Sequence, residues 1–298
     1  MSEHRFGYVA LVGIPNVGKS TLLNSLMRQK ISIISRRPQT TRHRILGILS
    51  GENYQIAFAD TPGIEPSPKG GLDRVIRKTA MNSLSDVDLV LFMIDHKGWQ
   101  HGSRKALEDV CGTNKPILLV INKVDKFENK IKLLPLIEES RNLHEFVEII
   151  PVQANSLPHP DDFCIKLVPH LSHGDPGFPN EMTTDRTREF QASEFVREQA
   201  YLLLGQELPY SISVETTRLE TNEKNILKID ATIWVEKASQ KPIVIGNQGS
   251  MLKRIGTGAR LQIEKSFSQK VYLSLWVKVK KSWTDRDTQL MQSGYTES

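Results

Sequence analysis

An eight-residue pattern near the start of the chain constrains the fold more than any other feature. Residues 13–20 read Gly-Ile-Pro-Asn-Val-Gly-Lys-Ser, directly after the apolar run 8–12 and directly before leucines at helical spacing. A glycine-rich turn between a buried strand and a helix is the setting of a phosphate-binding loop. Its backbone N–H groups and the positive end of the helix dipole face the same point. The pattern therefore predicts a nucleotide-binding α/β domain rather than a surface turn that happens to contain a lysine.

The residue types in this loop have separate predicted roles. Lys19 is expected to reach the terminal phosphates and to act in catalysis. The Ser20 hydroxyl is a predicted ligand of Mg2+, a hard cation that prefers oxygen. The remaining predicted nucleotide contacts in this region are Gly13, Asn16, Val17, Gly18 and Thr21.

A second polar group follows the strand-like run 54–59. Asp60-Thr61-Pro62-Gly63 places a carboxylate where it can hold Mg2+ through water. Three residues later, Gly63 offers a freely rotating backbone N–H for the third phosphate of a nucleoside triphosphate. An ordinary strand followed by a Pro-Gly turn has the same pattern, so the prediction depends on the phosphate-binding loop that precedes it.

A third group ends the apolar run 117–121 with Asn122-Lys123-Val124-Asp125. The Asp125 carboxylate can accept two N–H bonds from guanine, whereas adenine offers no matching donors. Asn122 and Lys123 are expected to brace the loop and the base. Because the group comes third in order after the first two, it predicts a site for GTP and GDP rather than an exposed polar loop.

The two parts of the chain differ in charge and in composition. Residues 237–286 hold eleven Lys or Arg against two acids, a net charge of +9, while the remainder carries −4. The stretch from 158 to 187 is rich in Pro, Gly, His and Asp. We therefore predict a nucleotide-binding domain over 1–175, a linker over 176–187 and a basic domain over 188–298. The 298 residues suffice for two domains of ordinary size.

Cysteine usage and hydropathy bear on the compartment. Only Cys111 and Cys164 are present, without the spacing of a zinc site or a disulfide framework. No apolar run approaches the length of a membrane span, and residues 1–5 lead straight into the first strand. We expect a cytoplasmic protein.

The basic domain contains a second glycine motif. The order helix, strand, strand, helix, Gly-x-x-Gly, helix, strand resembles the type II KH arrangement, an α+β fold that binds RNA. A thin loop between two helices lets a nucleic-acid backbone approach closely, with lysine and arginine nearby for the phosphates. The predicted RNA contacts are Gly246, Asn247, Gln248, Gly249, Lys253 and Arg254. A plain helix-helix turn is the alternative, and Asn247 and Gln248 are uncharged where many KH loops carry lysine.

The first three motifs resemble the translation-factor-like class of small GTPases, and further assignments follow from that resemblance. It implies Thr41 as a Mg2+-binding and catalytic switch residue, chosen over Thr40, and Gly63 as part of the catalytic group. Asn16 occupies the position that helps hold K+ in potassium-dependent relatives. Ala154 falls where a backbone N–H meets guanine, although Gln153 departs from the usual serine. Ile64 stands where many relatives place a water-orienting glutamine, so slow hydrolysis is expected.

The combination of an α/β P-loop GTPase domain, with a mostly parallel doubly wound sheet, and a type II KH domain resembles the bacterial Era family of GTPases. Residues 39–44, 207–211 and 275–280 carry much of this similarity. It implies a monomeric switch that binds 16S rRNA near its 3′ end, acts in 30S ribosomal subunit assembly and associates peripherally with the inner membrane. Two alternatives are a P-loop small-molecule kinase with a structural C-terminal domain and a membrane-attached GTPase scaffold.

Overall fold

The computed structural model describes residues 4–35, 37, 40–64, 78, 80–82, 84–205 and 208–280. These residues form two compact units. The first contains the described residues up to Ser32 and from Thr41 to Asp185, and the second contains Ile33–Thr40 and the chain from Arg186 onward. A helix predicted over 72–83 lies mostly outside the described residues.

The first unit is built on a seven-stranded sheet. Its strands are β1 (Arg5–Val12), β2 (Ile45–Ser50), β3 (Tyr54–Asp60), β4 (Leu89–Asp95), β5 (Ile117–Asn122), β6 (Ile149–Pro151) and β7 (Ser172–His173). Among the described residues, its helices include α1 (Lys19–Leu26), α2 (His101–Cys111), α3 (Leu133–Leu143) and α4 (Pro160–Leu167).

The strand order β2-β3-β1-β4-β5-β6 confirms the predicted doubly wound topology, with β7 paired to β1. All neighbours in the main order are parallel except β2 and β3, which form an antiparallel pair across a short turn. In the sheet, β1 lies between β3 on one side and β4 on the other, so the strand order reverses at β1. Ligands bind beyond the carboxyl ends of strands at such a reversal point, which is where the residue 13–18 loop begins.

The continuous apolar runs become strands buried on both faces. Residues of β4 and β5 are almost entirely inaccessible, and Phe92 stacks on Trp99 at 5.8 Å between ring centroids. Burial on both faces explains why these strands lack the alternation of a half-exposed sheet.

Most of the stretch predicted as a linker packs on the first unit. Phe178 contacts the rings of Phe6 and Tyr8, with centroids 6.0 and 6.2 Å away. The backbone of Phe178 also exchanges hydrogen bonds with the side-chain amide of Gln55. These contacts hold Phe178 on the first unit, although the composition of residues 176–187 predicts a linker.

The second unit has a three-stranded sheet in the order β10-β9-β8. Its elements are α5 (Arg188–Leu203), β8 (Ile212–Thr221), β9 (Ile226–Val235), α6 (Lys241–Ile245), α7 (Ser250–Phe267) and β10 (Lys270–Val279). This order of helices and strands is the one predicted, and β9 runs parallel to β10 and antiparallel to β8. Alternate residues of β9 and β10, including Ile233 and Val277, pack with α5 and with Ala259 of α7.

The segment Ile33–Thr40 belongs to this second unit. Ile33 is buried in a cluster with Ala192 and Phe195 of α5. Arg197, also in α5, donates to the Thr40 carbonyl oxygen at 2.7 Å. These contacts hold the segment within the second unit.

Candidate guanine-nucleotide site and RNA-binding groove

The loop between β1 and α1 has a backbone that requires glycine at two positions. Gly13 and Gly18 have φ of 151° and 107°. A Cβ on Gly13 would lie 2.4 Å from the Met93 carbonyl oxygen, and one on Gly18 would lie 2.1 Å from Asn122 Nδ2. Asn16 also adopts a left-handed conformation, φ 66°, which asparagine tolerates better than most residues. The sequence thus specifies a curved loop held tightly against two strand ends.

Lys19 lies within this curve. Its Nζ donates to the carbonyl oxygens of Gly13 and Ile14, at 3.0 and 3.2 Å. Burial lowers the pKa of the Lys19 ammonium to about 8, although the carboxylate of Asp60 opposes the shift. Charged phosphate oxygens accept stronger hydrogen bonds than carbonyls do, so this buried donor suits a polyphosphate.

Three predicted Mg2+ ligands converge beside the lysine. Ser20 Oγ donates to Asp60 Oδ2 at 2.7 Å and lies 2.9 Å from Thr41 Oγ1. Thr41 Oγ1 lies 3.4 Å from the same carboxylate oxygen. By contrast, the Thr40 hydroxyl bonds to Ser35 and to the Arg37 carbonyl oxygen, so the geometry supports Thr41 as the ligand.

The Asp60 carboxylate fits a cation. Its Oδ1 atom is buried and has no hydrogen-bond partner within the described residues. Burial raises the pKa of Asp60, and the hydrogen bond from Ser20 only partly offsets that effect. A buried carboxylate oxygen with no partner is costly unless a positive ligand or its water occupies the position. The donor set of two hydroxyls and a carboxylate therefore suits hydrated Mg2+.

The turn after Asp60 is packed against the phosphate-binding loop. A Cβ on Gly63 would lie 2.8 Å from the backbone nitrogen of Pro15, so only glycine allows this approach. The Ile64 N–H donates to the Gly13 carbonyl oxygen at 3.2 Å. The Ile64 side chain is fully buried in the hydrophobic core. It therefore serves packing, and it carries no polar group that could orient water.

Asn122 connects three loops at the base side of the site. Its Nδ2 donates to the Val17 carbonyl oxygen at 2.7 Å. Its Oδ1 accepts from the backbone N–H groups of Lys123 and Ala154, at 2.7 and 3.0 Å. The bracing role predicted for Asn122 is thus visible as hydrogen bonds to the phosphate-binding loop and to the residue 153–154 loop.

Lys123 makes the second brace and reveals a residue that the sequence reasoning missed. Its Nζ donates to the Asn16 carbonyl oxygen at 2.6 Å and to Asp95 Oδ2 at 2.8 Å. Burial raises the pKa of Asp95, but the hydrogen bonds from Lys123 and the Lys97 N–H, together with the positive charge of Lys123, outweigh it and leave the pKa below its usual value. Asp95 ends β4 and pairs in register with Asn122 at the end of β5. The sequence pattern that identified Asp60, a carboxylate at the end of an apolar run, also occurs at Asp95 and could have identified it.

The predicted base contacts lie at the same edge of the sheet. Asp125 is exposed on a short helical turn, Val124–Lys126, that follows Lys123 in a left-handed conformation. The Val124 N–H donates to the Val152 carbonyl oxygen at 3.3 Å, which ties this turn to the loop containing Gln153 and Ala154. The Ala154 N–H, expected to meet guanine, is bonded to Asn122 in this structure.

The second candidate site is the Gly246–Gly249 loop between α6 and α7. Gly246 and Gly249 have φ of 74° and 79°, and a Cβ on Gly246 would lie 2.7 Å from the Met251 nitrogen. Asn247 and Gln248 are exposed at the tip. The loop is therefore as thin and accessible as the prediction requires.

A groove of about 370 Å³ continues from this loop between α7 and β10. It is lined by Gly249, Leu252, Lys253, Gly256, Thr257, Arg260, Leu273 and Leu275. Lys253 thus lies where predicted, whereas Arg254 is exposed outside the lining. The sequence reasoning missed Gly256, Thr257 and Arg260, although their helical spacing from Lys253 places all of them on one face of α7.

Comparison with known proteins assigns both units. Residues 8–123 match a family model described as a 50S ribosome-binding GTPase, and residues 207–284 match a KH domain model. GTPase Era of Coxiella burnetii is 46% identical over 294 residues, 98% of this chain and 98% of that protein. GTPase Era of Yersinia enterocolitica is 43% identical over 291 residues, 98% of this chain and 96% of that protein.

The chain belongs to the Era family of GTPases. A crystal structure of Era with MgGDPNP and nucleotides 1506–1542 of 16S ribosomal RNA matches with a TM-score of 0.94 and 40% identity, covering 99% of this chain and 100% of that one. A variant of Aquifex aeolicus Era bound to GDP·AlF4− matches with the same TM-score and identity over 98% and 100% of the two chains. These findings confirm the predicted GTPase activity and the predicted KH fold, and Era membership argues against the kinase alternative.

Proposed function

We propose that this Era family member is a GTP-driven switch that binds 16S rRNA near its 3′ end and acts in assembly of the 30S subunit. The observation that carries the proposal is the likeness over both chains to an Era solved with a GTP analogue and a 16S rRNA fragment. The family model that matches residues 8–123 is described as a 50S ribosome-binding GTPase, which names the large ribosomal subunit rather than the small one. The solved Era matches both units of this chain and contains a fragment of 16S rRNA, the RNA of the small subunit.

The site chemistry fits hydrolysis at a phosphoryl group. Ser20, Thr41 and Asp60 would hold Mg2+. When bound, this ion would stabilise the negative charge that develops on the phosphoryl oxygens. Lys19 donates hydrogen bonds from a position that its own loop carbonyls fix. Preorganised donors of this kind stabilise charge without rearrangement during the reaction.

Among the described residues, the side chain at position 64 does not place the attacking water. The side chain at 64 is apolar and lies in the core, so it offers no hydrogen bond to water. Within the part of the chain that the structure describes, the N–H of Gly63 and the backbone of Thr41 are candidates for this role. We therefore expect slow intrinsic hydrolysis, which a partner could raise.

Base selectivity rests on Asp125. We expect Asp125→Asn to shift the preference from GTP toward XTP, because the amide supplies a donor where the carboxylate supplied an acceptor. Competition of GTP, XTP and ATP against a fluorescent GDP analogue measures this. Unchanged GTP selectivity would remove Asp125 from base recognition.

The switch itself is tested by nucleotide-dependent RNA binding. The affinity for a 16S rRNA fragment spanning nucleotides 1506–1542 is measured with GDP and with the non-hydrolysable analogue GDPNP, at one fixed salt concentration. Tighter binding with the analogue is expected, since a ligand shifts a conformational equilibrium only through differential affinity. Equal affinities in the two states would remove the switch from the proposal.

The proposal extends to location, assembly state and cation use. We place the protein in the cytoplasm, where ribosomal subunits assemble, as a monomer with a peripheral fraction at the inner membrane. Among the described residues, no helix combines the length and apolar composition needed to cross a bilayer. Sedimentation tests the monomer, and flotation with anionic vesicles across a salt series tests the membrane contact. Hydrolysis rates in KCl against NaCl test Asn16 as part of a K+ site.

A further inference from the structure

The three-stranded sheet of the second unit has a face turned away from its helices. Residues 271, 277 and 233 pack in the core with α5 and α7. Because side chains alternate along a strand, Tyr272 and Trp276 project from the opposite face. Their relative exposures are 64% and 46%, high for rings of this size. We name this surface the outer sheet face and define it by Lys228, Trp234, Tyr272, Trp276 and Lys278.

The outer sheet face interleaves rings with ammonium groups. In the register of β9 and β10, Tyr272 lies beside Lys228, Trp276 beside Thr232 and Lys278 beside Trp234. Lys278 Nζ lies 5.7 Å from the centre of the Trp234 ring. Exposed rings beside cations provide stacking surfaces for bases and partners for phosphates.

Three carboxylates also lie on this face: Glu215, Glu220 and Asp230. Glu215 Oε2 accepts from Trp234 Nε1 at 2.9 Å, which fixes the orientation of the indole ring. Arg218 of β8 pairs in register with Asp230, but its guanidinium forms an ion pair with Glu220 at 2.6 Å. Glu220 in turn pairs in register with Lys228. The carboxylates therefore offset the lysines, and the exposed rings are the main feature that this face offers to an RNA strand.

The outer sheet face is continuous with the RNA-binding groove. Within the described sheet, β10 is an edge strand. Its Leu273 and Leu275 line the groove, while Tyr272 and Trp276 lie on the other side of the same strand. An RNA strand that leaves the groove therefore reaches the outer sheet face by passing over the edge formed by β10. Exposed lysines protect an edge strand from pairing with another chain. Exposed aromatic rings give no such protection, so solubility does not explain the exposure of Tyr272 and Trp276.

We propose that the outer sheet face is a second RNA-binding surface that stacks unpaired bases of the RNA leaving the groove. The inference rests on the RNA-binding function proposed above. A Gly-x-x-Gly loop clamps only about four nucleotides, and open sheets elsewhere stack two or three bases on exposed aromatic side chains. The related Era was solved with a far longer fragment, nucleotides 1506–1542.

The test uses the full chain with GDPNP and that 16S rRNA fragment. Tyr272→Ala with Trp276→Ala removes both rings, and Tyr272→Phe with Trp276→Phe retains stacking. Leu202→Ala is the matched control, since Leu202 is an apolar residue of α5 with 54% exposure. Each stacked base lost should weaken RNA binding at least about fivefold. The phenylalanine pair and Leu202→Ala should bind as the unchanged protein does.

Further measurements separate stacking from other effects. Lys278→Gln should reduce the slope of log affinity against log salt by about 0.7, the value for one phosphate of a single strand, whereas the alanine pair should leave the slope unchanged. Ultraviolet crosslinking should place RNA on Tyr272 or Trp276 rather than on the groove residues Leu273 and Leu275 of the same strand. Unchanged affinity of the alanine pair, or equal loss in the phenylalanine pair, would overturn the inference. If the unchanged protein without RNA sediments as a larger species than the alanine pair does, the face would be assigned to contact with a second copy of the chain instead.

If the unchanged protein fails to bind the fragment, the proposed RNA function fails first. Binding that survives the alanine pair but is lost on groove substitution at Gly249 would leave the proposed function standing and remove only the second surface.

Discussion

At the scale of single residues, Asn122 carries more of the nucleotide site than its place in a four-residue motif suggests. It is 3% exposed and hydrogen-bonds to Val17, Lys123 and Ala154. Asn122→Ala leaves the Val17 carbonyl and the Ala154 N–H without this partner, at a cost of about 1–3 kcal/mol for each buried group. We expect a lower urea midpoint and weaker binding of a fluorescent GDP analogue.

Asn122→Asp is the matched variant for this prediction. It keeps the acceptor for Ala154, loses the donor to the Val17 carbonyl and adds a negative charge at a buried position, so GDP should bind to it more weakly than to Asn122→Ala. Unchanged GDP affinity in both variants would show that the three loops hold their positions without Asn122.

The two thiols should differ in reactivity. Cys164 is fully buried, and burial raises its pKa to about 12. Burial also raises the pKa of Cys111, which is only partly buried. Because the thiolate is the reactive form, labelling of the native protein at pH 8 should modify Cys111 first and leave Cys164 protected until unfolding. Peptide mapping after timed alkylation measures the order, and early loss of Cys164 would contradict its burial.

At the scale of elements, the start of α5 depends on one side chain. The Thr187 hydroxyl accepts from the Phe190 N–H at 3.3 Å and caps the helix. Thr187→Ala should destabilise the first turn by about 1 kcal/mol, while Thr187→Ser should retain the cap. Hydrogen exchange of the first-turn amides reports the local effect directly. Equal protection in the two variants would mean that packing alone holds the turn.

The elements also show what the sequence could and could not predict. Asp60 and Asn122 were predictable because each ends a buried strand, and a parallel sheet brings such ends to one edge. The Lys123–Asp95 ion pair was not, because it depends on which strands are neighbours. Nor was the packing of Phe178, since its ring partners lie in β1, far away in sequence. Local motifs thus located the site, while the contacts that hold it required the topology.

At the scale of the whole molecule, GTP hydrolysis and RNA binding are assigned to separate compact units. A substitution in the Gly246–Gly249 loop should therefore weaken RNA binding and leave intrinsic GTP hydrolysis unchanged. Gly246 is a poor choice, because a Cβ there would lie 2.7 Å from the Met251 nitrogen. A Cβ on Gly249 meets nothing within 4 Å, so that position accepts a side chain at the cost only of its positive φ.

Gly249→Asp and Gly249→Asn form a pair of nearly equal size that differs in charge. Asparagine tolerates positive φ, so Gly249→Asn should fold and reports the steric effect alone. Gly249→Asp adds a negative charge where phosphates are expected, and we predict at least about tenfold weaker binding to the 16S rRNA fragment than for Gly249→Asn. Low salt should enlarge the difference, because charge repulsion is then less screened. Loss of hydrolysis in either variant would indicate misfolding, and equal RNA affinities would show that the phosphate backbone does not pass this glycine.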